Sequence, residues 1–107
     1  VMIEKTTAVD ELDDILSVPE LGFVFIGPGD LSVQMGHPTN RDHDSVQNQI
    51  SDVEDAARSA GVPMGCIRKD PEGVEAAVND GYQVLRMGGD ISSIRATLGE
   101  RLRAISP

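Results

Sequence analysis

Two periods of apolar and polar positions alternate along this chain. Four short apolar runs read as strands: Val1–Glu4, Gly22–Gly27, Val62–Ile67 and Tyr82–Gly88. Each is followed by a pattern at helical spacing. After the first run, Val9, Leu12, Ile15 and Leu16 recur on one helical face until Pro19 stops them. The second run leads into a short turn, Leu31 to Met35, and a polar loop from Gly36 to Asp44. A longer helix is predicted from Ser45 to Ala60, with Val46, Ile50, Val53, Ala57 and Ala60 as its apolar stripe. Gly61 supplies its C-terminal stop. The third run passes through Arg68 and Lys69 to Asp70-Pro71, an N-cap followed by a first-turn proline, and opens a helix ending near Gly81. The fourth leads through Gly88-Gly89-Asp90 into a final helix, Ile91 to Ile105.

This is a βα unit repeated four times, without hairpin signals. Such alternation predicts an α/β fold with parallel strands and right-handed crossovers. Four units make either a small open sheet or half of an eight-stranded barrel. In a barrel, chemistry sits where strands end and loops begin. Glu4, Gly27 to Asp30, Arg68 and Gly88 to Asp90 all fall at such ends. No internal repeat, low-complexity segment or domain boundary interrupts residues 1–107. The chain starts at Val1, inside a strand pattern and without an initiator Met, so it reads as a piece of something longer.

Composition narrows the function classes. Aromatics are 3% of residues and Trp is absent, so the core must come from Val, Ile, Leu, Ala and Met. The net charge of −9 repels phosphate backbones and argues against a nucleic-acid partner. One cysteine, Cys66, excludes an internal disulfide framework and a multi-cysteine zinc site; it reads as a small buried hydrophobe. No apolar stretch approaches the ~20 residues that cross a bilayer, and no signal peptide is evident. The expectation is a cytoplasmic protein.

The segment Gly27-Pro28-Gly29-Asp30-Leu31-Ser32 carries the most chemistry. A strand that ends in two closely spaced glycines brings backbone N–H groups near a ligand without side-chain obstruction. Asp30 follows at the mouth of the sheet. It is either a ligand-binding acid or, with Ser32, a cap for the short helix. Glu4 ends another apolar strand, where a lone acid is costly unless paired or metal-bound. Two carboxylates on adjacent strand ends would offer hard oxygen ligands and leave positions open for water and substrate. The competing reading has Glu4 capping the next helix or pairing with Lys5.

Three stretches then resemble a known family. They are Met2-Ile3-Glu4-Lys5-Thr6, Ala8-Val9-Asp10 through Leu12-Asp13-Asp14-Ile15-Leu16, and Val24-Phe25-Ile26-Gly27-Pro28-Gly29-Asp30-Leu31-Ser32. Their order and spacing are similar to those of the 4-hydroxy-2-oxoheptanedioate aldolases, a family that includes 2-keto-3-deoxy-sugar-acid aldolases. The likeness is looser through Val46-Gln47 and Gly61 and returns at Gly81 and Gly88 to Asp90.

The resemblance implies strands five to eight of a TIM-type (β/α)8 barrel, the C-terminal half of a metal-dependent, class II pyruvate aldolase. It places a divalent ion (Mg²⁺, Mn²⁺ or Co²⁺) on Glu4 and Asp30. It assigns the carboxylate of pyruvate to Gly27, Pro28, Gly29 and Asp30, chiefly through the Gly29 and Asp30 amides. A small 2-keto acid is then the substrate and a homo-oligomer the expected assembly. The His and Arg that move protons and hold the keto oxygen in that family belong upstream, so the catalytic residues of this chain stay unassigned. His37 and His43 read as members of a solvated loop, and Lys5 and Lys69 as solvated charges. Arg86 departs from the family, which prefers small residues there. It alternates with Val84 and Gly88 toward the barrel interior, either to pair with an acid such as Glu4 or to alter substrate contacts. Two other readings remain: a citrate-lyase-type or malyl-thioester lyase of the same superfamily, and a non-catalytic half-barrel.

Overall fold

In the computed structural model, which describes residues 1–105, four parallel strands alternate with helices. β1 (Met2–Ile3) is followed by α1 (Thr6–Asp10) and α2 (Leu12–Leu16), and β2 (Val24–Ile26) by α3 (Pro28–Gln34) and α4 (Asp44–Ala60). β3 (Met64–Ile67) leads to α5 (Pro71–Asn79), and β4 (Val84–Arg86) to α6 (Asp90–Ile105). The strands pair in chain order, β1-β2-β3-β4, as the expected crossovers require.

Register decides which side chains share a face. Ile3 lies opposite Ile26, Val24 opposite Met64, and Cys66 opposite Leu85. This set turns toward the helices and packs with Leu12, Val53, Ala57, Ala77 and Tyr82 into one core. Ile3, Val24 and Val53 are fully buried there. Each such side chain stabilises the fold by about 1.5–3 kcal/mol relative to exposure. Intervening residues turn the other way: Met2, Phe25, Gly65 and Val84 form a row across all four strands. A methyl on Gly65 would lie 2.6 Å from the Phe25 ring and 3.1 Å from Val84, so only glycine lets that row close up. Parallel sheets ordinarily have both faces covered. Here the second face is an apolar surface, with Met2 half exposed and Phe25 half-buried.

Several element limits differ from the sequence-based expectation. All but one of the strands end earlier than their apolar runs, because ladder pairing stops before the loops begin. The first helical stretch divides at Glu11, whose backbone (φ −101°, ψ 18°) leaves helical geometry. The turn expected from Leu31 starts earlier, as helix α3, with Pro28 in its first turn. Other signals hold. Asp70 Oδ1 accepts from the Gly73 amide at 2.7 Å, and Gly61 adopts the left-handed conformation at φ 69°. α6 is distinct: none of its residues is buried, and Ile91, Ile94, Leu98 and Ile105 are exposed along it.

Candidate functional site

The first strand pair sets up the candidate site. The Gly27 amide donates to the Ile3 carbonyl at 2.9 Å, which brings the ends of β1 and β2 side by side. Glu4, one residue beyond Ile3, is therefore directed to the face opposite the core. A methyl placed on Gly27 would lie 3.0 Å from Glu4 Cβ and 3.5 Å from its Oε2. The Glu4 carboxylate thus rests against Gly27, the residue that caps the N-terminus of α3. Asp30 sits in the first turn of that helix and is exposed.

Neither carboxylate has the alternative use open to it in sequence. Glu4 makes no ion pair with Lys5 among the described residues, and α1 has no side-chain cap. Among the described residues Asp30 makes no side-chain hydrogen bond or ion pair that would mark it as a cap. Ser32 is buried and donates to the Gly29 carbonyl at 2.7 Å. The Gly29 and Asp30 amides lie in the first helical turn, where no intrahelical acceptor exists. A methyl on Gly29 would meet nothing within 4 Å, so that part of the backbone is open to approach.

Gly27, Pro28, Gly29 and Asp30 line an open cavity of about 1080 Å³ on the face of the sheet opposite the core. Val1, Met2, Phe23 and Phe25 give it an apolar floor. Basic side chains occupy its far wall: Lys69 after β3, Arg86 on β4 and Arg95 on α6. Arg41 reaches it from the α3–α4 loop.

Residues 1–97 match the HpcH/HpaI aldolase/citrate lyase family. The chain belongs to this family. It is 34% identical over 103 residues to the 2-dehydro-3,6-dideoxy-6-sulfogluconate aldolase of Pseudomonas putida, covering 96% of this chain and 40% of that protein. It is 35% identical over 102 residues to a 2-keto-3-deoxy-L-rhamnonate aldolase of Escherichia coli, covering 95% of this chain and 38% of the relative. Among solved structures, the HpcH/HpaI aldolase of Desulfitobacterium hafniense superposes with a TM-score of 0.84 at 30% identity, covering 97% of this chain and 40% of that one. The chain therefore spans about 40% of the length of these aldolases. The four βα units correspond to part of their barrel-type α/β fold.

Within this HpcH/HpaI fold, the four residues singled out from Gly27 to Asp30 share one cavity wall, and Glu4 abuts Gly27. Other expectations are corrected. His37 and His43 are half-buried rather than solvated: their rings stack at 3.6 Å, and His43 Nδ1 accepts from the Ser45 amide as the cap of α4. Lys69 is exposed, in keeping with a solvated charge, and borders the open cavity. Arg86 does not pair with Glu4; its Nε donates to the Gly88 carbonyl at 3.3 Å. Arg41 was not singled out in sequence, because nothing in a polar loop tells which cavity it will overhang.

Sequence reasoning also missed a polar cluster on the helix side of the sheet. Tyr82 is buried and donates its hydroxyl to Glu54 Oε1, while Arg68 lies 6.0 Å from the centre of its ring. Burial, reinforced by that hydrogen bond and the Glu54 charge, pushes the Tyr82 hydroxyl well above the usual tyrosine range. Burial also raises the Cys66 thiol, as suits the inert core residue expected from sequence. No helix among the described residues is long and apolar enough to cross a membrane.

Proposed function

We propose that the protein to which this chain belongs is a metal-dependent, class II aldolase that reversibly cleaves 4-hydroxy-2-keto acids to pyruvate and an aldehyde. The observation that carries this reading is the Glu4 carboxylate held against Gly27, beside a helix whose first turn contains Asp30 and open amides. Among the described residues neither acid is used in capping or ion pairing, and both supply the hard oxygen donors that Mg²⁺, Mn²⁺ and Co²⁺ accept. When bound there, such an ion supplies Lewis-acid stabilisation of the enolate oxygen formed as the C3–C4 bond breaks.

The chain's own residues then have separate tasks. Glu4, just past β1, and Asp30, in the first turn of α3, would hold the ion. The Gly29 and Asp30 amides receive the carboxylate of the 2-keto acid and fix its orientation. Met2, Phe23 and Phe25 give the rest of the substrate an apolar floor to lie against. A Schiff-base lysine is not needed. Proton transfer falls to His and Arg residues expected upstream, on strands one to four of the barrel, with this chain supplying strands five to eight.

The protein is further proposed to act as a cytoplasmic homo-oligomer, without nucleic-acid or membrane partners. The exposed apolar positions of α6 favour packing against a second copy. Metal-dependent pyruvate release by the full-length parent tests the activity. Loss of that release in Asp30→Ala is the expected result; equal activity in the variant would sink the assignment. The family's citrate-lyase description supports a second reading, cleavage of a CoA thioester. Profiling free 4-hydroxy-2-keto acids against malyl and citramalyl thioesters separates the two, and turnover of thioesters alone would replace the first reading.

A further inference from the structure

We propose a second ligand site on the helix side of the sheet, between α4 and the β3–α5 turn, where Arg68 receives the phosphate group of a small monoester or of free phosphate. The site lies outside the aldolase reading and centres on residues which that reading does not use.

A cavity of about 370 Å³ opens there, at the lower end of the roughly 300–1,000 Å³ that small-molecule sites occupy. Its inner wall is apolar, with Ile26 and Cys66 from the core and Ile50 from α4. Arg41, Arg68 and Lys69 also line it. The Arg68 amide donates to the Arg86 carbonyl at 3.1 Å, which carries the ladder one residue past β3. Arg68 therefore follows buried Cys66 onto the core side, and it takes no part in lining the strand-end cavity.

The guanidinium of Arg68 is positioned but underused. It is half-buried, lies 6.0 Å from the centre of the Tyr82 ring, and donates through one terminal nitrogen to the Ile67 carbonyl at 2.8 Å. Of its five N–H groups, the other four make no hydrogen bond or ion pair among the described residues. A charge withdrawn from water ordinarily acquires a partner. The acids lining the cavity are mostly committed elsewhere. Glu54 accepts from the Tyr82 hydroxyl and pairs with Arg58 at 3.7 Å, and Asp70 caps α5 by accepting from the Gly73 amide. Asp42 is the lining acid with no such bond among the described residues, so three cations face one uncommitted carboxylate. An unspent guanidinium fork matches a phosphate. The short body of a monoester then lies against Ile26 and Ile50, while exposed Arg41 and Lys69 add positive charge at the rim.

The test is calorimetric titration of the metal-free, full-length parent with glycerol 3-phosphate and with inorganic phosphate. Saturable binding of one of them with a Kd below about 1 mM is expected. Arg68→Gln should weaken it by about 10- to 100-fold, the range of hydrogen bonds to a charged group, and Arg68→Lys should retain part of the affinity. Arg41→Gln, at an exposed position, should weaken binding about two- to fivefold and serves where the Arg68 variants fold poorly. Arg86→Gln, in the strand-end cavity, should leave the Kd within about twofold. Tighter binding of the monoester names an organic ligand and tighter binding of free phosphate names the ion; both uphold the site. No saturable binding of either anion, undiminished binding in folded Arg68→Gln, or an equal loss in Arg86→Gln overturns it. The titration needs neither metal nor turnover, so failure of the aldolase reading would leave its result intact.

Discussion

Replacing Gly27 with alanine separates the site's geometry from the stability of the fold. The backbone there (φ −106°, ψ 79°) has a negative φ, so alanine introduces no left-handed strain. The new methyl would instead stand 3.0 Å from Glu4 Cβ, against about 3.5–4.0 Å for a comfortable carbon–carbon contact. Relief requires Glu4 to move by about half an ångström or more, because the Ile3 carbonyl, 3.7 Å from the same methyl, is fixed by the β1–β2 ladder. Functional groups must hold their positions within about 0.5 Å, and a displacement near 1 Å costs up to about 100-fold in rate. Gly27→Ala in the parent should therefore reduce metal-dependent pyruvate release by about 10- to 100-fold. The fold should lose about 1–3 kcal/mol, the usual cost of one extra methyl at a buried position. Pyruvate release at saturating Mn²⁺, beside urea denaturation of the same samples, reads both quantities. Full activity in the variant, or a loss accounted for by unfolding, would refute the reasoning.

Three further outcomes follow from the structure. Tyr82→Phe removes the hydrogen bond to the half-buried Glu54 and should destabilise the parent by about 1–2 kcal/mol in chemical denaturation; an unchanged midpoint would contradict the bond's role. The pH dependence has a definite sign. The folded state holds the Tyr82 proton to higher pH than the unfolded chain does, so this contribution is intact below the ordinary tyrosine value of about 10 and declines as pH rises above it. Tyr82→Phe should flatten that alkaline decline, and melting curves between about pH 8 and 11 that keep the same slope would show the idea wrong. Asp70→Ala removes the cap on the Gly73 amide and should cost about 1 kcal/mol; a thermal midpoint identical to that of the unaltered protein would deny the cap its importance.

Much of the fold was legible because one period dominates each segment. The four βα units follow from apolar runs broken by helical stripes, and the sequential parallel sheet follows from that alternation. Asp70-Pro71 and Gly61 were readable because caps and left-handed stops depend on local chemistry alone. Pro28 misled by its context: between two glycines it looks like a turn, yet a proline in the first helical turn loses nothing by lacking an N–H, and α3 starts there. Glu11 gave no warning of a break, since a charged residue suits either a helix or its end.

The site was legible in its parts and illegible in its assembly. Alternation correctly assigned Arg86 to the face with Val84 and away from the core. The contact between Glu4 and Gly27 depends on strand register, which no local pattern states. The path of the 36–44 loop depends on the His37–His43 stack and the His43 cap, so Arg41 and the true setting of both histidines stayed hidden. Tyr82 and Glu54 are 28 residues apart, and only the folded helix layer joins them.

The most direct measurement is a Mn²⁺ titration of the full-length parent, followed by electron paramagnetic resonance, beside Glu4→Gln and Asp30→Asn variants shown to be folded. A shared ion predicts one tight Mn²⁺ per chain in the unaltered protein and its loss, or a fall of at least about tenfold in affinity, in each variant. Undiminished binding in either variant would mean that these two carboxylates do not hold a common cation.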